Sequence, residues 1–580
     1  MDVPELKESI FEPKHFTDII GGHGPWQLGI FTFFFFAAAP HCMHNLIMAF
    51  FAPNVQHWCA RSPEALAANV SIEQWKNESL PMENTYGGGM EYSKCTVYNV
   101  TYANGSVNYP LHLQEDTIKC NYWEYDLSFY TSTMVDEWNL VCDREWLISI
   151  AKTVYMVGFL LSSTLSGQIS DRIGRRPVVI TCLCMFLTAA FLTLLSESFL
   201  MFLILRFIIA LGLTSVFTIS YVILPEIVSA EYRSLYCINF KCGWIFAYML
   251  LPGIAYLIPS WFWLQITITV PWLTLLCVFW VVPETPCWLL AHGKFQEAQE
   301  ILLRAAKKNK KDMKKTKAAL AEFLSHQIKS EDKRKATFFD LMKTPGLRKS
   351  TLNIYFCWFI IAYIYYALSW NTNDLGGDPY ITFFVCGAVE LPAIILFLSI
   401  SKAVGHRIAL LISNVLAGVC LLLLILVPAE MTWLSITFAM AGKFFNSASF
   451  DIVFILTAEV LPTVTRNVGV GSSSTCARIG ALVAPFIRQL GDVTHPVVPL
   501  AVPGALSVVS GFLLLLLPET KGVKLPDTLE EGERFSTKVK LKRMVFRDSN
   551  NEINSDEQQK MLYQKPNHAD DGTEILNLAG

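Results

Sequence analysis

The sequence predicts an all-α membrane protein. Twelve membrane-spanning helices form two pseudo-symmetric six-helix bundles, and a large disulfide-bonded loop lies outside the membrane. Three observations carry that reading. Of 580 residues, 53% are hydrophobic and 16% charged, with mean hydropathy +0.38, which is outside the balance of soluble globular domains. Twelve stretches are apolar and long enough to cross a bilayer core of about 30 Å, which takes about 20 helical residues. Short strings also recur between the two halves at a nearly constant offset.

Taken in order, residues 1–25 are polar and mixed in charge, without the basic, apolar and small-residue parts of a signal peptide. The first span is therefore expected to act as the targeting signal, with the N-terminus cytoplasmic. The first half, 26–289, holds spans near 26–52, 146–166, 177–196, 199–223, 235–258 and 261–282. Between its first two spans lies a hydrophilic loop, 53–145, with four cysteines, Cys59, Cys95, Cys120 and Cys142. The same loop has four Asn-x-Ser/Thr sequons, at Asn69, Asn77, Asn99 and Asn104. Both features belong to the oxidising, glycosylating side of a plasma membrane. Four cysteines allow three pairings, which sequence leaves open.

The central segment, 290–350, contains "RAAKKNKKDMKKTK". From Arg304 to Lys349 there are fifteen Lys/Arg against five Asp/Glu; from Ala52 to Trp146 the count is five against thirteen. The positive-inside rule places the central segment in the cytoplasm, its lysines a solvated face beside anionic membrane lipid. The second half, 351–517, holds spans near 351–371, 380–401, 407–427, 431–457, 467–489 and 494–517. The tail, 518–580, is polar and without apolar periodicity, and reads as mostly disordered and cytoplasmic.

The internal repeat is specific. "PEIVSAEYR" (Pro225–Arg233) is matched by "AEVLPTVTR" (Ala458–Arg466), with Glu226/Arg233 and Glu459/Arg466 both seven apart. "PETP" at Pro283 is matched by "PET" at Pro518, and "DRIGRRP" at Asp171 more weakly by "KAVGHRI" at Lys402. The offsets are 231 to 235 residues. Two such halves are how major facilitator carriers are built, with the substrate site between them near the midplane.

"GQISDRIGRR" (Gly167–Arg176) resembles the major facilitator signature, and Asp171, Arg172, Arg175 and Arg176 are its ion-pairing residues. More narrowly, "DEWNLVCDREWL", "PETPCWLL" and "TAEVLPTVTRNVGVGSSST" resemble the organic cation, organic anion and carnitine transporter family, as does the large loop after the first span. Lys402 departs from the pattern, standing where Asp171 would place an acid.

Charged residues inside spans face partners or a watery cavity. Here they are Arg206, Glu226, Lys241, Glu390, Lys443, Asp451, Glu459 and Arg478. Glu226 and Glu459 lie beside Arg233 and Arg466 at helix ends, as structural or gating ion pairs, and Arg206 reads as structural. Asp451 follows Lys443 by eight residues, about two turns on and on a similar face of the helix. The resemblance puts this helix and the next at a central cavity. There, relatives carrying only cations tend to have an acid at Arg478, whereas those handling anions or zwitterionic carnitine tend to have arginine. A guanidinium fork suits a carboxylate. Alternatively, Arg478 neutralises Asp451 or Glu390. Ser474 and Thr475 lie one turn earlier, where they orient Arg478 or touch a ligand, while Ser472 and Ser473 are expected to bond their own backbone. Tyr363, Tyr366 and Trp370 form an aromatic stripe, suited to packing or to holding an ammonium by cation–π attraction. His41, Cys42 and His44 read as packing or pore polarity.

The expected function is transport of a small organic solute by alternating access, most simply a zwitterionic amine of carnitine or β-alanine type. Arg478 would hold the carboxylate, Asp451 or the aromatic wall the amine, and Lys443 would tune the field. Organic anions and amine conjugates such as carcinine are the alternative substrates, and a substrate-sensing receptor the alternative class. Near-zero net charge points to no nucleic-acid partner, and the sequence lacks a P-loop, nucleophile elbow or metal-ligand cluster, so no enzyme, metal or cofactor is expected. Coupling to sodium or protons would need a free acid, for which Glu390, Asp451 and Glu459 are eligible.

Overall fold

The computed structural model describes residues 15–535 except 85–89, 100, 104–105, 109–116, 328–336, 372–375, 429, 496, 524 and 527. The sequon at Asn104, residues 1–14 and tail residues 536–580 lie outside the described residues.

Among the described residues, twelve helices are long and apolar enough to span a membrane. In the first half they are α1 (Pro25–Phe51), α2 (Cys142–Ile173), α3 (Arg175–Leu195), α4 (Phe199–Ile227), α5 (Ala230–Leu257) and α6 (Trp261–Val281). The second half has α7 (Pro345–Trp370), α8 (Pro379–Val404), α9 (His406–Leu424), α10 (Thr432–Val460), α11 (Arg466–Gly491) and α12 (Val498–Leu516). Several run past the apolar stretch that announces them. Thus α2 continues to Ile173, where its last turn carries Asp171 and Arg172 out of the apolar layer. The side bearing the 53–145 loop is called the loop face, and the side bearing the 290–344 segment the tail face.

The repeat strings now have a structural reason. Gly174 (φ 117°) separates α2 from α3, and Gly405 (φ 89°) separates α8 from α9, a left-handed geometry that suits glycine in a tight reversal. Each turn is clasped by the glutamate of a "PET" string. Glu284 accepts from the Arg175 and Arg176 amides (2.9 and 3.1 Å), which are free donors at the start of α3. Glu519 pairs with Arg407 (2.8 Å) at the start of α9.

In the loop, Cys59 is joined to Cys120 and Cys95 to Cys142. Trp58, Ala65, Trp75 and Leu80 make a small core of its own beneath these links. Asn69, Asn77 and Asn99 are exposed, and the Asn77 side-chain oxygen accepts from the Tyr92 hydroxyl.

The halves meet tightly toward the loop face. Ser149 on α2 donates to the Pro485 carbonyl (3.0 Å) and accepts from Gln489 (2.7 Å), and Glu145 pairs with Arg488 (3.4 Å). The Tyr248 hydroxyl donates to Cys386 (3.1 Å), and Phe50 stacks on Tyr380 (5.7 Å). Ion pairs at the tail face instead stay within one half: Arg175 with Asp171 (2.8 Å) and Glu226 (3.2 Å), His406 with Glu459 (3.0 Å). The structure is thus clasped between the halves on the loop face and clasped within each half on the tail face.

Candidate functional site

Arg478 sits twelve residues into α11, about 18 Å from its tail-face end. Small residues set its position: a Cβ on Gly480 would come within 2.2 Å of the Phe359 carbonyl oxygen, so α11 packs backbone-close on α7. The guanidinium donates to the Ser474 carbonyl (3.0 Å) and hydroxyl, as expected from a residue one turn earlier. It lies over the Phe159 ring of the other half, 4.7 Å from the centroid. Its Nε has no hydrogen-bond partner, and among the described residues no carboxylate is in ion-pair contact with it. Ser472 and Ser473 bond backbone carbonyls, as the sequence suggests, and Ser472 also accepts from Tyr355 (2.6 Å). Thr475 bonds the Gly471 carbonyl (3.2 Å) and so does not orient the arginine.

The sequence offered Asp451 or Glu390 as the neutraliser of Arg478, and the structure corrects this. Asp451 pairs with Lys241 of α5 at 2.5 Å, across the junction of the halves. Glu390 of α8 pairs with Lys443 at 3.3 Å, with both side chains sealed from solvent. Lys443 also donates to Ser369 (2.6 Å) and stands over the Tyr365 ring, 3.2 Å from its centroid. The reason is angular: eight residues at 100° each leave Lys443 and Asp451 about 80° apart around α10. Lys443 therefore points into its own half, while Asp451 points at the other. Neither Asp451 nor Glu390 is a free acid, and Lys443 is a binding partner of Glu390 more than a tuner of the cavity.

The aromatic stripe is also rearranged. Tyr363 stacks on Phe359 (6.3 Å), away from the pairing of Tyr366 with Trp370 (4.9 Å). Trp370 donates to the Asn45 carbonyl of α1 (3.4 Å). The ring beside the buried lysine is Tyr365, which sequence reasoning passed over and whose hydroxyl accepts from Trp244 (3.1 Å). From the first half, His41 lies among Phe159 (5.3 Å), Phe217 (4.5 Å) and Trp244 (5.4 Å). Phe159, shared by His41 and Arg478, carries this wall to the guanidinium. No sequence signal marked Phe159 or Trp244, because apolar aromatics are common on every span.

The expected pairings at the tail face need two corrections. Glu226 is held by Arg175, while Arg233 donates to the Pro225 carbonyl (3.1 Å). Glu459 is held by His406, and Arg466 donates to Thr463 (3.2 Å). A residue seven positions on lies beyond the helix break after Ile227 or Val460, so it does not fold back onto the acid. The weak string "KAVGHRI" supplies the second-half partner through His406, in the place of Arg175. Arg176 donates through its side chain to the Phe279 carbonyl (2.8 Å), and Arg172 is exposed.

Where the two six-helix halves meet, the Arg478 guanidinium thus lies beside an aromatic wall, with no carboxylate in ion-pair contact among the described residues. The family described as sugar (and other) transporter matches residues 95–531. An organic cation transporter protein of Drosophila melanogaster is 37% identical over 529 residues, covering 90% of this chain and 94% of its own length. Organic cation/carnitine transporter 2 of Homo sapiens is 33% identical over 524 residues, covering 89% and 93%. In fold, the chain is similar to the inward-open xylose transporter XylE of E. coli, with TM-score 0.52 and 17% identity over 67% of this chain and 89% of that one. This chain is therefore a multi-pass membrane transporter, not an enzyme, and belongs to the organic cation, organic anion and carnitine transporter family of the major facilitator superfamily.

Proposed function

We propose that the protein is a plasma-membrane carrier of a small zwitterionic amine, carnitine-like or β-alanine-like, moved by alternating access. The observation that carries the reading is Arg478, a cation at the junction of the halves with no carboxylate in ion-pair contact among the described residues. A substrate carboxylate would complete it, with the bidentate geometry that guanidinium favours. Because Asp451 is held by Lys241, the amine falls to the ring faces of Phe159, Trp244, Tyr366 and Trp370, which attract a cation without a formal charge. The similarity to an organic cation/carnitine transporter agrees with a substrate of both signs. Organic-anion exchange would use Lys443 as a second cation, and its pairing with Glu390 removes that support.

In this reading the loop face, with its sequons and disulfides, is extracellular, and both chain ends are cytoplasmic. The halves are then joined on the extracellular side by Glu145 with Arg488, and nearer the cytoplasmic side by Lys241 with Asp451. Each acid eligible to coordinate sodium has a basic partner: Lys443 for Glu390, Lys241 for Asp451 and His406 for Glu459. Uptake is accordingly expected to proceed without a sodium gradient.

The test is uptake into vesicles of a labelled zwitterion, its carboxyl ester and a bare quaternary cation, each with and without sodium. The zwitterion should be taken up at least about tenfold better than the ester, the worth of one charge-assisted contact. Equal uptake of zwitterion and ester would overturn the reading. A second expectation concerns Lys241. Lys241→Gln uncovers the Asp451 carboxylate and should raise uptake of the bare cation, relative to the zwitterion, by about tenfold. An unchanged cation-to-zwitterion ratio would show that Asp451 does not face the transported solute.

A further inference from the structure

We propose a second anion site, enclosed within the first half and formed by Arg206, Tyr155 and His44, whose ligand is a small inorganic anion of halide size. Arg206 on α4 is 1% exposed and has no ion-pair partner among the described residues. Its guanidinium lies over the Tyr155 ring of α2, 4.5 Å from the centroid, and its Nη1 donates to the His44 carbonyl of α1 (2.8 Å). That accounts for one nitrogen. Nε and Nη2 have no partner, nor do the Tyr155 hydroxyl and both ring nitrogens of His44, and all three residues are fully buried.

These groups share one depth. Arg206 is seven residues into α4, His44 seven from the end of α1, and Tyr155 nine into the helix that begins at Trp146, so all lie about 10–14 Å below the loop face. What they have in common is donors: two guanidinium N–H positions, a phenol and an imidazole N–H. Water would satisfy some of them and leave the charge. An unpaired guanidinium within a membrane bundle calls for a counter-charge, and among the described residues no acid pairs with Arg206. One monovalent anion accepts from several of these donors and cancels the charge.

Size follows from the enclosure. The His44 ring meets Phe186 edge-on at 5.3 Å, and His44, Tyr155 and Phe186 have no exposed surface. A crevice on the loop face is lined by Lys152, Trp370, Asn371, Glu145 and Arg488, and Trp370 reaches the Asn45 carbonyl, one residue beyond His44. The site is separate from Arg478, which belongs to the other half and faces Phe159.

The experiment is thermal unfolding of the purified full-length protein at fixed ionic strength, titrating chloride or bromide against gluconate, with acetate and the transported zwitterion as parallel arms. Halides should raise the melting temperature saturably. Tyr155→Phe, which removes one donor but keeps the ring under Arg206, should weaken the halide dependence about tenfold. Arg206→Gln should abolish it, whereas Arg478→Gln should leave it intact. Should Arg206→Gln fail to fold, Tyr155→Phe and Arg478→Gln still decide the matter. Indifference of the wild type to halide overturns the proposal, as does a halide response lost in Arg478→Gln but kept in Tyr155→Phe. Stabilisation by acetate or zwitterion in competition with halide would overturn the halide assignment, making this a second seat for substrate carboxylates.

Discussion

Arg478→Gln lowers uptake of a carboxylate-bearing substrate by about a hundredfold while the protein still reaches the membrane in normal amount. The magnitude follows from removing one member of a desolvated, hydrogen-bonded charge pair, which costs about 2–5 kcal/mol, at about 1.4 kcal/mol per tenfold. Normal abundance follows from the partners. Ser474 is on the same helix and Phe159 offers only a ring face, so no carboxylate is orphaned when the guanidinium goes. Arg478→Lys keeps the charge but loses the fork, and should recover only part of the uptake. Initial uptake rates per molecule at the surface make the comparison. Wild-type uptake of the zwitterion by Arg478→Gln would assign the arginine to the protein's own packing.

Glu390→Gln has the opposite signature: it acts on abundance and stability before transport can be measured. Lys443 and Glu390 are sealed from solvent, so neutralising one leaves the other charged without a counter-ion, a loss of about 3–5 kcal/mol. Lys443→Met should be similarly harmful. The double variant Glu390→Gln/Lys443→Met removes both charges and should recover most of the loss, because a well-packed neutral pair often matches or exceeds a buried ion pair. Monodisperse yield and melting temperature of the three variants give the measurement. A double variant as unstable as the worse single one would show that the site depends on more than mutual neutralisation, with Ser369 and Tyr365 then the groups to examine.

How much of this was legible depended on the range of the interaction. The spans could be read because each is a local run of apolar residues, and the two-half plan because repeat strings persist in both. The roles of the "PET" glutamates could not be seen, since Glu284 caps a helix start 109 residues earlier. Arg478 stood out as a lone charge among glycines and serines. Its surroundings did not, because Phe159 is brought up from the other half. Proximity along the chain was a poor guide to charge partners: Glu226 and Arg233 are close in sequence but not joined, while Lys241 and Asp451, 210 residues apart, are. The eight-residue spacing on α10 misled for a simpler reason, as about 80° of rotation sends the two side chains to different neighbours.

The charges where the halves meet also leave a remainder. Lys241 cancels Asp451 and Lys443 cancels Glu390, so among the described residues Arg478 is a surplus positive charge in the layer that the proposed alternating access would expose to each side in turn. Moving a full elementary charge through 100 mV is worth about 2.3 kcal/mol. An interior-negative membrane potential therefore biases the resting carrier toward the orientation in which this charge communicates with the inside. The proposed zwitterion would bring no net charge, so loaded and empty carriers would feel the same bias. For such a solute, voltage would set which way the carrier waits without driving the solute uphill.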